Sequence, residues 1–323
     1  MSGAIYLERH GGPDVLQWRA QSMAEPGAGE VRVRHTAIGV NFSDIGLRTG
    51  TMPAKLPSGI GFEAAGIVEA VGKGVRDLKR GSRVAYSWRV PGAYATDRVV
   101  PAQVLTKLPA ALDDETIAGA FLKGLTAQIL VRRAFPVARG HTVLLHAAAG
   151  GVGLILAQWA RQLGARVIGV VSTEEKARLA KRNGCWRTLI GSEDLALRVK
   201  SLTTGAGVDA VYDSVGKDVF LASLDCMKPR GTIVCYGQSS GPAPALTPMD
   251  LGRRGSLYLH RMMGGDYLSV PAESAASTRE LLSMLSRRRI RVHIGRRYAL
   301  DAAAQAQADV EQRRTVGSTV LIP

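Results

Sequence analysis

"TVLLHAAAGGVGLILAQWARQLG", Thr142 to Gly164, is the stretch that decides the fold. At its centre "HAAAGGVG", His146 to Gly153, crowds three glycines into four positions straight after an apolar run. Glycine weakens helices and strands, so the crowding needs a reason. A flexible surface turn is one reason. A ligand that must come very close to the backbone is another. The flanks decide between them. "TVLLHAA" reads as a buried strand. After the glycines, Leu154, Leu156, Ala157, Ala160 and Leu163 fall on one side of a helix that Gly164 ends. A glycine turn between a strand and a helix is the context a dinucleotide fingerprint requires. Gly150, Gly151 and Gly153 fit G-x-x-G, with Ala148 where the first glycine of G-x-G-x-x-G would stand. Gly150 lets the backbone approach a pyrophosphate, and Gly153 lets the helix pack on the strand. The amides from Gly150 through Gly151 and Val152 to Gly153 would bind the phosphates, helped by the helix dipole.

Downstream, strand and helix keep alternating. "ARVIGVVS" is a second apolar strand, and "TEEKARLAKRNG" is a helix with acids in its first turn and bases in its last. "WRTLI", "EDLALRVKSLT", "VDAVYDSVG", "VFLASLDCM", "GTIVCYG" and "SLYLHRM" continue the pattern. This is the signature of an α/β domain, a doubly wound parallel sheet with helices on both faces. Upstream, the first 120 or so residues read as short strands and turns. "EVRVRHTAIGV" alternates Val31, Val33, His35 and Ala37 against polar partners, and glycines and prolines recur from Gly50 to Gly81. "NFSDIGLRTG" reads as a short helix or turn that Asn41 or Ser43 could cap. After Gly265 come a long helix, "AESAASTRELLSMLSRRR", then a strand, a helix and the closing strand "GSTVLIP". This tail is expected to return to the N-terminal unit. Residues 1–125 and 265–323 would then form one discontinuous domain and 126–264 the cofactor domain.

The end of the second strand bears on the cofactor. An NAD site usually has an acid there for the ribose 2′-hydroxyl. Here Ser172 and Thr173 stand at the tip, with Lys176 just beyond. Hydroxyls and a cation suit a 2′-phosphate, so the expected cofactor is NADPH. For Lys176 the plain alternative is a surface lysine.

Composition sets outer limits. The chain has 323 residues, 46% hydrophobic and 21% charged, as in a folded protein of two ordinary domains. No apolar stretch is long enough to span a bilayer. The start has no basic region followed by an apolar core, and a cytoplasmic location is expected. Three cysteines, an odd number without a C-x-x-C spacing, point to buried or half-buried thiols rather than a disulfide framework. The net charge of +15 favours anionic ligands and can attract nucleic acid. Its densest cluster is "SRRRIRVHIGRR", Ser286 to Arg297, which lacks an RNA-binding aromatic signature and zinc-finger spacing. A solvated basic face is the plainer reading, and nucleic-acid binding is kept as a rival.

The chain resembles the medium-chain dehydrogenase/reductase superfamily, and within it the zeta-crystallin-like NADPH:quinone oxidoreductases. The resemblance rests on "HGGPDVLQ", "GVNFSDIGLRTG", "LPSGIGFEAAGIVEAVG", "FLKGLTAQ", "HAAAGGVG", "VYDSVG", "YGQSSG", "GSLYLHR" and "GSTVLIP" and spans essentially the whole chain. It implies a GroES-like β-rich catalytic domain and a Rossmann domain, with the active site in the cleft between them. Asn41, Phe42, Ser43 and Asp44 would border the nicotinamide, Asn41 and Asp44 being the polar candidates for orienting substrate. The alternative for both is a role in holding the domain interface. Thr126 would lie near the nicotinamide phosphate and Gly150 to Gly153 would hold the pyrophosphate. Ser172, Thr173 and Lys176 would hold the 2′-phosphate. Val215, Gln238, Ser239, Ser240 and Gly241 would line the ribose and nicotinamide. Met263, Gly264, Gly265 and Arg313 would close the cleft. A quinone substrate and a homodimer, paired through "SLYLHR", are implied as well. Two departures stand out. Gly191 and Ser192 replace a tyrosine common at the end of the third strand, and Met52 stands nearest another common tyrosine.

Zinc members of this superfamily would show a cysteine in the stretch that reads "NFSD" and a histidine just before the glutamate of "GFEAAG". Here Phe62 precedes Glu63, and no four-cysteine lobe lies between Arg83 and Pro101. His146 reads as a packed or ribose-side residue. No metal is expected. Without a Lewis acid the substrate should be a ready hydride acceptor, a quinone or an activated enone. The expected activity is therefore NADPH:quinone reduction. Its rivals are alkenal or enoyl reduction, and nucleic-acid binding by a protein that retains a cofactor site.

Overall fold

The computed structural model describes residues 2–87 and 89–323. The chain divides into two compact units: Met1–Leu122 with Val292–Pro323, and Lys123–Arg291.

The first unit is built around Glu30–Val40. Val31, Val33, His35 and Ala37 are buried and the residues between them are not, the period-two pattern read from the sequence. This strand pairs antiparallel with Glu63–Val71 on one side and with Ser318–Ile322 on the other. The closing strand in turn lies parallel to Ile294–Ala299. A smaller sheet joins Leu16–Ala20, Gly3–Leu7 and Ser58–Gly59. Ile38, Val40, Ile60, Val68, Tyr86, Tyr94 and Leu321 fill the core between these elements.

The second unit contains a six-stranded, wholly parallel sheet. In order along the chain its strands are Thr142–Leu145, Arg166–Val171, Arg187–Ile190, Val208–Asp213, Met227–Cys235 and Tyr258–Arg261. In space they run third, second, first, fourth, fifth, sixth. The chain therefore reverses direction across the sheet between the first and fourth strands, and a crevice opens there at the strands' carboxyl ends. Leu144, Ile168, Val211 and Ile233 form the sheet's contribution to a core that Leu195, Val199, Phe220 and Leu224 cover from the helices.

One boundary differs from the sequence reading. Residues 265–291, assigned there to the catalytic domain, belong to the second unit. The helix Pro271–Ser286 buries Leu281 against Gly124, where a Cβ would lie 2.4 Å from the leucine. Its Glu280 accepts hydrogen bonds from Gln128 at 3.0 Å and Arg132 at 2.9 Å. Only from Val292 does the tail join the first unit. The helix Asp114–Ile129 has no counterpart in the sequence reading.

Candidate functional site

The glycine turn lies at the switch point. His146 N–H continues the pairing of the first strand by donating to Tyr212 O at 3.1 Å, and Ala148 N–H donates to Val170 O at 3.1 Å. Ala147 adopts a left-handed φ of 49°, and Gly150 then caps the helix Gly151–Gln162. The first intrahelical bond runs from Leu154 N–H to Gly150 O. The amides of Gly151, Val152 and Gly153 thus precede any helical acceptor, as at every helix start. Gly153 can be nothing larger: a Cβ would stand 2.4 Å from Ala147 O and 2.9 Å from Ala148 C. Gly150 is looser, with Ala147 O at 3.2 Å as the sole near atom. An open loop backed by tight helix–strand packing suits a diphosphate against the backbone.

At the tip of the second strand, Thr173 caps the helix Glu174–Arg182 and its hydroxyl accepts from Lys176 N–H at 3.2 Å. Lys176 Nζ donates to Ser172 Oγ at 3.2 Å. The two hydroxyls and the ammonium are therefore one cluster, while Glu174 and Glu175 are exposed. A phosphate there would meet a cation and two hydroxyl donors. Gly191 follows the third strand with a φ of 71° and an amide bonded to Val171 O, so the backbone turns tightly at the position where the resemblance implies a tyrosine.

The fourth and fifth strands end in two loops fastened together. Ser239 N–H donates to Ser214 O at 3.1 Å and Ser240 N–H to Val215 O at 2.8 Å. Lys217 N–H reaches Gly241 O at 3.2 Å. Val215 and the run Gln238 to Gly241 are thereby brought together. Thr126 is half-buried on the helix Asp114–Ile129. Met263, 54% exposed, precedes the short helix Gly264–Leu268 that holds Gly264 and Gly265. His146 is a packed residue: it is 1% exposed, and burial lowers its pKa to about 4. Ser223 Oγ donates to Val219 O at 2.7 Å, so its lone pair accepts Nε2–H from His146, also at 2.7 Å.

In the first unit, Asn41 caps the helix Phe42–Thr49 and is 7% exposed. Its amide N–H donates to Asp44 Oδ2 at 2.8 Å and its side-chain nitrogen to Glu63 Oε1 at 2.7 Å. Tyr94 OH also donates to Asp44 Oδ2, at 2.8 Å. Burial, and the Asp44 carboxylate beside it, push the Tyr94 hydroxyl well above its usual pKa. Asp44 has 0% of its surface exposed, which corrects its assignment as a cofactor and substrate contact. It holds the helix start and Tyr94. Phe42 is 42% exposed and Ser43 half-buried, and these two can face a ligand. Met52 is also exposed. Arg313, on the tail of this unit, has a left-handed φ of 59°.

At the position where the resemblance implies a histidine in zinc members, Phe62 packs in the core. Glu63 Oε1 accepts from Asn41 and Oε2 from Leu122 N–H at 2.6 Å, so the remaining acid serves the protein's own donors. Among the described residues no group of His, Cys, Asp and Glu could hold a metal ion. Sequence reasoning missed Tyr94 and Asp213. The one detectable signal for Asp213 was its place two residues before Val215, the spacing of an Asx turn.

A sheet reversing at a glycine turn in one unit, and a GroES-like fold in the other, define a two-domain nucleotide-dependent dehydrogenase/reductase of the medium-chain class. The alcohol dehydrogenase GroES-like domain model matches residues 27–110 and the zinc-binding dehydrogenase model residues 151–283. The quinone oxidoreductase of Pseudomonas aeruginosa is 47% identical over the full length of both chains. A 2-haloacrylate reductase of a Burkholderia species is 44% identical over 99% of this chain and 98% of its own. The crystal structure of Escherichia coli quinone oxidoreductase complexed with NADPH superposes with a TM-score of 0.96 at 42% identity, covering 99% of this chain and all of that one. The chain belongs to the zeta-crystallin-like quinone oxidoreductase family of that class.

Proposed function

We propose that this chain is an NADPH:quinone oxidoreductase that works without zinc. The observation that carries the reading is the pairing of two features on one sheet edge. One is a glycine turn with helix-start amides; the other is the Ser172–Thr173–Lys176 cluster at the next strand. The two features follow neighbouring parallel strands, an order that suits the diphosphate and the 2′-phosphate of a single NADPH. Bound NADPH supplies a hydride to an electrophilic acceptor. The amides of Gly151, Val152 and Gly153 hold the diphosphate, and Lys176 with Ser172 and Thr173 selects the phosphorylated ribose. The joined loops at Val215 and Gln238 to Gly241 offer a preformed wall to the nicotinamide half. Phe42 and Ser43 supply the ligand-facing side of their helix, held by Asn41 and Asp44. Phe62 and the fully hydrogen-bonded Glu63 offer no open metal position, so nothing polarises an alcohol or ketone oxygen. Acceptors that need no such help, quinones first, fit this site.

Reduction of an activated alkene is the second reading, favoured by the likeness to the Burkholderia reductase. Steady-state NADPH oxidation with benzoquinones, naphthoquinones and α,β-unsaturated aldehydes, each with and without EDTA, tests both. Turnover of quinones above enals, unchanged by EDTA, is expected. Enals turned over faster would transfer the assignment to the second reading. No turnover on any acceptor, together with salt-sensitive RNA binding, would favour a nucleic-acid role. Among the described residues no helix is long and apolar enough to cross a membrane. We also assign the chain a homodimeric state through its outermost strand, Tyr258–Arg261.

A further inference from the structure

Asp213 ends the fourth strand of the parallel sheet with 0% of its surface exposed. Its Oδ1 accepts two consecutive backbone amides, Val215 N–H at 2.7 Å and Gly216 N–H at 3.0 Å. Its Oδ2 is buried and, among the described residues, has no hydrogen-bond partner. A buried acid with one oxygen unpaired weakens a fold, so the stability of the strand end does not account for it. What the carboxylate does supply is a fixed shape for the adjoining turn. Gly216 takes a φ of 85°, and a Cβ on it would stand 2.3 Å from Gly241 O. Ser240 Oγ donates to Val215 O at 2.8 Å and accepts from Asp218 N–H at 3.1 Å, locking the same turn to the loop after the fifth strand. Across the strands Asp213 is in register with Cys235, and Cys235 with Arg261. Burial raises the Asp213 pKa, and the Arg261 charge works against that rise. The two loops stand on the far side of the switch point from the Ser172–Lys176 cluster. A dinucleotide laid across the switch point with its 2′-phosphate on that cluster puts its nicotinamide half on these loops.

We infer that Asp213 is a positioning residue for the nicotinamide half of the cofactor: through the Val215 and Gly216 amides it fixes the wall against which that half docks. The inference rests on the dinucleotide reading of this unit. The test compares two ligands on the full-length protein, NADPH by fluorescence titration and adenosine 2′,5′-bisphosphate by calorimetry. The second ligand shares the 2′-phosphate end and lacks the nicotinamide. Asp213→Ala should weaken NADPH about tenfold, or about 1.4 kcal/mol, and leave the bisphosphate unchanged. Gly216→Ala, which displaces the same turn without touching the carboxylate, should show the same split and carries the test if Asp213→Ala does not fold. Asp213→Asn keeps an acceptor at Oδ1 and should restore NADPH affinity to within about threefold of wild type. In turnover, the KM for NADPH should rise in Asp213→Ala while the KM for the quinone holds. If the variants lose both ligands together, Asp213 is merely structural; if they lose neither, it positions nothing. Either result overturns the inference. A wild-type protein that bound the bisphosphate and NADPH equally tightly would also overturn it, because no wall would then be contributing. Binding of neither ligand by wild type would instead overturn the dinucleotide reading itself.

Discussion

At the scale of one side chain, the proposed function makes Lys176 the residue on which cofactor choice rests. Its ammonium lies 3.2 Å from Ser172 Oγ, at the strand tip where an NAD site would have a carboxylate. Lys176→Ala should weaken NADPH by about 1.5–3 kcal/mol, the range for hydrogen bonds to charged groups, and leave NADH nearly unchanged. Fluorescence titration of both nucleotides checks this; equal binding of NADPH and NADH by the native protein would remove the assignment. Two other residues govern behaviour in acid. His35 and His146 are both buried, and burial lowers each pKa from 6.5 to about 4. His35 donates from Nδ1 to Ala95 O at 2.7 Å and accepts at Nε2 from Tyr86 OH at 3.0 Å, a pattern only the neutral ring can satisfy. The unfolded chain binds protons on both rings as pH falls through 6.5, whereas the folded chain resists until about 4. Their stabilisation is therefore complete above pH 6.5 and is lost between 6.5 and about 4. At about 1.4 kcal/mol per pKa unit, each ring contributes on the order of 3 kcal/mol to that loss. Thermal melts across this window should show Tm falling steeply. His146→Asn should make the fall shallower by about one proton, and an identical slope would contradict the assignment.

At the scale of elements, tight packing sets both what can be changed and what could be read. Gly153 sits where a Cβ would lie 2.4 Å from a backbone oxygen that cannot swing aside. Gly153→Ala should push the helix Gly151–Gln162 off its strand, costing about 1–3 kcal/mol of stability, and should abolish measurable NADPH binding. A melt combined with a titration checks both parts. The same crowding makes this element legible in sequence, because three glycines between an apolar strand and a helix leave few alternatives. The helix Asp114–Ile129 is illegible for the opposite reason. Ile117, Ala118, Ala120, Phe121, Leu125 and Ala127 bury it nearly all round, so no single apolar stripe shows a helical period. Its Gly119 and Gly124 are sites of close approach to Ile294 and Leu281. The helix Pro271–Ser286 is recognisable in sequence but not its place in the second unit, because an apolar stripe does not say which core it faces. Asp44 shows the limit for single polar residues. An N-cap followed three residues later by an acid is a capping pair in sequence whether it is exposed or sealed inside, and here it is sealed.

For the molecule as a whole, the outer edge of the parallel sheet bears on its oligomeric state. The parallel sheet ends at Tyr258–Arg261, and among the described residues no further strand of this sheet lies beyond it. An outer strand leaves a row of backbone donors and acceptors available, which proteins normally cover or disrupt with charge. Here Tyr258 is 61% exposed and Leu259 44%, and Leu221 and Met249 in the same unit are exposed as well. An apolar outer strand suits pairing with its own copy about a two-fold axis, which would continue the sheet from one protomer into the next. Such an interface is self-complementary, so one substitution acts twice. Tyr258→Asp with Leu259→Asp would place four carboxylates across the axis, where like charges opposite one another are destabilising. Light scattering after size exclusion should give a dimer mass for wild type and a monomer mass for the double variant. Adenosine 2′,5′-bisphosphate should still bind, since the Ser172–Lys176 cluster proposed for the 2′-phosphate follows the second strand, at the opposite side of the sheet order. A double variant that remained dimeric would exclude this strand as the contact, and a monomeric wild type would remove the dimer altogether.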